Sequence, residues 1–174
     1  MSDPNYDLAQ SILRQDHVAA SAVLDKHPEL ATAILHHPEM MDDCATIILA
    51  SSCGLADLVQ AVLDAGEDPN RRYEKEGWAP LHVAAQRNQV DVGRALVAAG
   101  AIVDVLDRRS SAPLMWALRG RHYDFATLLL DHGADINCRW RDGYAFLHHE
   151  AKDGKNEPLK FMPVSYTHLT LPTI

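Results

Sequence analysis

From about residue 40 onward the apolar positions form pairs of short helical stripes, and the pairs recur. Leu58, Val59, Val62 and Leu63 are echoed by Val92, Leu96 and Val97, then by Phe125, Leu128, Leu129 and Leu130. At 3.6 residues per turn each set lines one face of a helix. Ahead of each stripe lies a shorter apolar run. Ala45 to Ala50 reads ATIILA, Ala79 to Ala84 reads APLHVA, Ala112 to Ala117 reads APLMWA and Ala145 to Glu150 reads AFLHHE. Pro80 and Pro113 suit the first position of a helix, where a missing amide hydrogen costs nothing. Gly54 and Asn88 fall where the first helix must reverse, and Gly66, Gly100 and Gly133 where the second must end. These are residues that accept left-handed backbone angles.

Leu81, Leu114 and Leu147 are 33 residues apart. A period of this length marks a stacked-repeat architecture, because one helix pair is too small to bury its own apolar face. The units run over about 40–73, 74–106 and 107–139, with an incomplete one at 140–162. The first is degenerate, and its extra residue falls in the loop between Asn70 and Gly77. Residues 1–39 break the period and form an acidic helical N-terminal cap. Within it Tyr6 to His27 predicts two short helices around Asp16 and His17, and the HPE triplets at His27 and His37 bracket a third, Leu30 to His36.

The motifs APLHVAA, APLMWAL and AFLHHEA, with AGEDPN, AGAIVD and HGADIN at the unit ends, resemble the ankyrin repeat over about residues 40–162. The resemblance implies an all-α, ankyrin-type helix-turn-helix solenoid with hairpin loops and an N-terminal helical cap. It further implies that the projecting loops, or fingers, and the first helices line a concave face that binds other proteins. His82 and His148 match the family's motif histidine, which tethers backbone between repeats. The sequence departs from the pattern at Ala79, Ala112 and Ala145, where the family has Thr, and so loses any hydroxyl cap, worth about 1 kcal/mol per helix. Phe146 and Glu150 depart further in the fourth unit.

Charge and composition then narrow the function. The chain has 174 residues and a net charge of −8. Residues 1–69 hold twelve Asp and Glu against Arg14 and Lys26, whereas residues 70–174 hold twelve against fourteen Lys and Arg. The acidic half would oppose a polyanion along much of the solenoid, so nucleic acid is not the expected partner. No run is long and apolar enough to cross a bilayer and the start is unlike a secretory signal, so the expectation is a cytoplasmic monomer with no membrane partner. Cys44, Cys53 and Cys138 form no CxxC pair and fit free thiols in a reducing compartment. Val164 to Thr173 reads VSYTHLTLPT, which resembles a translated sequencing adapter. Pro163 to Ile174 is therefore set aside as artefactual, and a natural chain is expected to continue beyond about residue 162.

Catalytic chemistry finds no support. His149-Glu150-Ala151-Lys152-Asp153 lacks the second histidine of a zinc-protease motif, and Gly154-Lys155 lacks the frame of a phosphate loop. The pairs His36-His37 and His148-His149 point about 100° apart on a helix and cannot chelate from one face. No catalytic residue, cofactor or metal is expected. The stronger signal is arginine. Placed on the family's contact positions, Arg87, Arg108, Arg109, Arg119 and Arg141 face the concave side, with Trp78 and Tyr144 at equivalent finger positions. Arg and large aromatics anchor interfaces, and guanidinium pairs with carboxylate or phosphate. Trp116 follows the helix motif and reads as a wedge between repeats. The expected function is a non-enzymatic protein-interaction module for an acidic or phosphorylated partner segment. The alternative is the N-terminal targeting or regulatory arm of a longer enzyme.

Overall fold

The computed structural model describes residues 3–37, 44–73 and 75–137. The incomplete unit at 140–162, with Arg141 and Tyr144, and the tail from Pro163 lie outside the described residues.

Eight α-helices dominate the described chain: α1 (Pro4–Leu13), α2 (His17–Lys26), α3 (Thr46–Cys53), α4 (Ala56–Asp64), α5 (Pro80–Arg87), α6 (Val90–Ala98), α7 (Pro113–Arg119) and α8 (Tyr123–Asp131). They stack in two rows. The first helices α3, α5 and α7 pack on one another in sequence, and so do the second helices α4, α6 and α8, while α1 packs on α3 and α2 on α4. The all-α solenoid expected from the period is therefore the fold.

In-register burial holds the rows together. Ile47, Leu81 and Leu114 are fully buried along the first row, and Ala50, Ala84 and Ala117 beside them are small enough for the helices to approach closely. Leu58, Val92 and Phe125, then Val62, Leu96 and Leu129, do the same along the second row. Each fully buried Leu or Phe contributes about 1.5–3 kcal/mol. The first repeat's α3 is apolar nearly all round because α1 covers one side and α5 the other.

The helix ends follow the sequence. Pro80 and Pro113 open α5 and α7, and neither Ala79 nor Ala112 provides a side-chain cap. Gly66, Gly100 and Gly133 have φ of 94°, 90° and 87°. In the third unit the left-handed turn residue is Arg121, at φ 58°, and Gly120 before it stays in the right-handed region.

The helix expected over Leu30 to His36 does not form. Pro28–Thr32 is a single 3-10 turn, and Ile34–Leu35 pairs antiparallel with Cys44–Ala45. Tertiary bonds outbid a weak local preference. Asn5 on α1 donates to the Ile34 carbonyl at 3.0 Å and accepts from the His36 amide at 2.9 Å, holding that segment extended. Thr46 Oγ1 donates to the Leu30 carbonyl at 2.6 Å and the Thr46 amide to Ala33. β-Branched Thr32 and Ile34 offer little helix propensity against this. Cys44 lies in this strand pair and Cys53 at the end of α3, and neither forms a disulfide among the described residues.

Gly93 lies inside α6 because the next repeat needs its space. A Cβ there would meet Phe125 Cζ at 2.7 Å and Leu128 Cδ2 at 2.9 Å. Helix propensity alone favours Ala over Gly by about 1 kcal/mol, whereas overpacking a filled core costs about 1–3 kcal/mol. Gly93→Ala is therefore expected to lower stability in urea denaturation, and a gain in stability would show that the α6–α8 contact yields freely.

Candidate partner-binding site

The loops between repeats build the site. In the loop leading to α5, the Tyr73 amide donates to the Trp78 carbonyl at 2.7 Å and the Gly77 amide to Tyr73 at 2.8 Å, closing a hairpin-like finger. The next finger docks on it. The Arg108 amide donates to the Glu76 carbonyl at 3.0 Å, and a Cβ on Gly77, at φ 71°, would meet Arg108 Cγ at 2.9 Å. Arg108 Nη1 donates to the Lys75 carbonyl, and Arg72 Nη1 to the Gly77 and Leu106 carbonyls. A polar ladder at the finger bases sets the same spacing. Asn70 accepts from the Ile102 amide at 2.8 Å, and Asp104 accepts from the Asp135 amide at 3.1 Å.

Asp107, only 6% exposed, lies at the centre of this region. Its Oδ1 accepts from the Arg109 and Ser111 amides, both at 2.8 Å, and shapes the turn. Its Oδ2 accepts from Trp78 Nε1 and Trp116 Nε1, both at 3.2 Å. Four donors compensate one buried carboxylate, as a charge away from water requires. The two indoles meet edge to face, with centroids 5.1 Å apart and planes at 69°, a favoured geometry for aromatic pairs. The Arg119 guanidinium lies over the Trp116 ring, 5.6 Å from its centroid, within cation–π range.

Beside the indoles opens a cavity of ≈ 520 Å³, lined by Glu76, Trp78, Gln86, Arg109, Trp116, Arg119 and Gly120. Arg109 is exposed, and its guanidinium makes no hydrogen bond among the described residues. Glu76 brings an opposing charge, and its Oε2 is buried with no hydrogen-bond partner among the described residues.

The structure thus divides the predicted set. Trp78, Arg109 and Arg119 converge on the cavity. Arg108, though exposed, turns back onto the preceding finger, and Arg87 is an exposed residue at the end of α5 outside the cavity lining. Trp116 is 8% exposed, so it is a wedge between repeats, yet it also forms a cavity wall. Glu76, Gln86 and Asp107 were not signalled by the motif.

The chain matches the family described as "Ankyrin repeats (3 copies)" over residues 17–107 and again over 47–139. It belongs to the ankyrin repeat family. Ankyrin repeats mediate protein–protein interaction, and this region is a non-catalytic interaction unit. Among its relatives, "Palmitoyltransferase ZDHHC13" of Homo sapiens is 34% identical over 125 residues, 71% of this chain and 20% of the relative. "Palmitoyltransferase ZDHHC17" of Rattus norvegicus is 36% identical over 98 residues, 55% of this chain and 16% of the relative. "Putative palmitoyltransferase ZDHHC13" of Danio rerio is 34% identical over 113 residues, 64% of this chain and 17% of the relative. The chain spans about a fifth or less of the curated relatives it matches. No helix among the described residues is long and apolar enough to cross a membrane.

The ankyrin motif histidine, His82, ties the site to the stack. Buried at the start of α5, its Nδ1 accepts from the Ala79 amide at 3.0 Å and its Nε2 faces the Ser111 carbonyl at 3.0 Å. The ring is therefore neutral with its hydrogen on Nε2, and its bond to the Ala79 amide is the N3-to-N-cap half of a capping box, whose other half a hydroxyl at Ala79 would have supplied. Burial lowers its pKa below 6.5, against the raising influence of the Ser111 bond. The unfolded chain thus takes up a proton near pH 6.5 that the folded chain refuses. Its contribution to stability is complete above 6.5 and is lost as pH falls from there through the lowered value. In urea denaturation, His82→Gln is expected to be less stable at neutral pH, with a difference from the parent that shrinks as pH falls below 6.5; a pH-independent difference would count against the assignment.

Proposed function

We propose that this chain is a non-enzymatic recognition module that captures an acidic segment of a partner protein in the cavity between the second and third repeats. The observation that carries this reading is the convergence of two indoles and two guanidiniums, Trp78, Trp116, Arg109 and Arg119, on one open cavity. Aromatic walls give a partner side chain apolar contact area, and the guanidiniums set charge preference and on-rate. Glu76 refines that preference. Its carboxylate opposes a phosphate dianion more than a single carboxylate. A carboxylate-bearing segment therefore fits better than a phosphorylated one. Arg87 and Arg108 extend the same finger and concave surface as a charged surround, and Arg141 and Tyr144 stay in the proposed binding set on their sequence positions alone.

The relatives favour a second, compatible reading, in which the module is the N-terminal targeting arm of a longer palmitoyltransferase-like enzyme. It would then act as a monomeric cytoplasmic unit that holds a protein for modification by the rest of the chain.

Peptides selected from a random displayed library on the 174-residue chain provide the test. Trp116→Ala is expected to weaken the selected acidic peptides by about 2 kcal/mol or more, as a buried anchor does. Arg109→Glu should also weaken them, chiefly by slowing association, and should flatten the salt dependence. Its melting temperature should stay near the parent's, because Arg109 contributes only its backbone amide to the turn. Selection of peptides with no acidic bias would remove the charge preference. Unchanged binding by Trp116→Ala would remove the cavity as the site.

A further inference from the structure

The cavity's two indole walls come from different places in the chain. Trp78 stands at the end of one finger and Trp116 lies on α7 of the following repeat. What they share is one atom, Asp107 Oδ2, at 3.2 Å from each indole nitrogen. The other carboxylate oxygen is committed to the Arg109 and Ser111 amides. Asp107 does not line the cavity.

We propose that Asp107 is a positioning residue for partner binding, a latch that holds Trp78 and Trp116 edge to face so that the cavity is open before a partner arrives. This rests on the cavity being the partner site. An indole on a surface finger has two side-chain torsions and alternative rotamers. Fixing both N–H groups on one charged acceptor removes that freedom in advance, which is how preorganisation raises affinity. The acceptor is charged and buried, and such bonds are stronger than neutral ones. The division of labour between the two oxygens makes the latch separable from the turn. In Asp107→Asn, Oδ1 can still take the two backbone amides, but Nδ2 presents hydrogens to two indole N–H donors and cannot hold them.

The test uses a peptide selected from a random displayed library on the parent chain and counter-selected against Trp116→Ala, so that it reports on the cavity. Asp107→Asn is expected to melt within a few degrees of the parent, to bind the peptide about tenfold more weakly, and to show faster solvent exchange of the indole N–H protons. In a Trp78→Phe, Trp116→Phe background, which keeps ring walls but removes both donors, the same substitution is expected to have no further effect on binding. Parent-like affinity in Asp107→Asn would overturn the latch while leaving the cavity as the binding site. If no library peptide discriminates against Trp116→Ala, the cavity and the latch fall together. Should Asp107→Asn not fold, solvent exchange of the two indole N–H protons in the parent decides: slow exchange of both supports the latch, and exchange of either at the rate of an exposed indole overturns it.

Discussion

Ile47, Leu81 and Leu114 lose all solvent exposure along the row in which α3, α5 and α7 of successive repeats pack on one another. That dependence on the adjacent unit governs the rest of the molecule. Two helices of seven to nine residues are too short to persist alone in water, so each repeat is ordered by those it packs on. The small residues in register, Ala50, Ala84 and Ala117, and the bare Cα of Gly93 under Phe125 set how closely the units approach. Ahead of that row α1 packs on α3 and α2 on α4, and Asn5 and Thr46 tie the segment from Leu30 to His36 to them.

Because stacking fixes the distance between units, it also fixes the distance between fingers. Asn70 reaches the Ile102 amide and Asp104 the Asp135 amide, while Arg72 and Arg108 span the gap to carbonyls of the adjacent finger. These bonds are local to the fingers but depend on the helix rows. His82 joins the two levels, since one ring bonds the start of its own helix and the Ser111 carbonyl of the next loop.

The period made the solenoid legible, and proline and glycine marked the helix ends to within two residues. Repetition informs through what recurs, and the parts that escaped it are those that occur once. Asp107 reads as an ordinary turn residue, because its turn bonds to Arg109 and Ser111 are local while its indole bonds need two distant partners. Trp116 reads as core from its motif position. The clue that it does more was the indole N–H, which needs an acceptor when buried. Leu30 to His36 looked helical because the bonds that keep it extended come from Asn5 and Thr46. Arginine was the least legible residue type. Composition could not separate Arg108, which holds a finger, from Arg109, which lines the cavity.

The position of the cavity links recognition to stability. Trp78 belongs to one repeat, Trp116 to the next, and Asp107 to the loop between them, so the site exists only while that interface is closed. A ligand that binds the closed interface and not the open one stabilises it by mass action. In a solenoid, stability is close to a sum over such interfaces, so the gain is confined to the junction between α5 and α7 and the fingers above it. Recognition of this kind would be felt first as local rigidity at one junction, with the N-terminal helices α1 and α2 little affected.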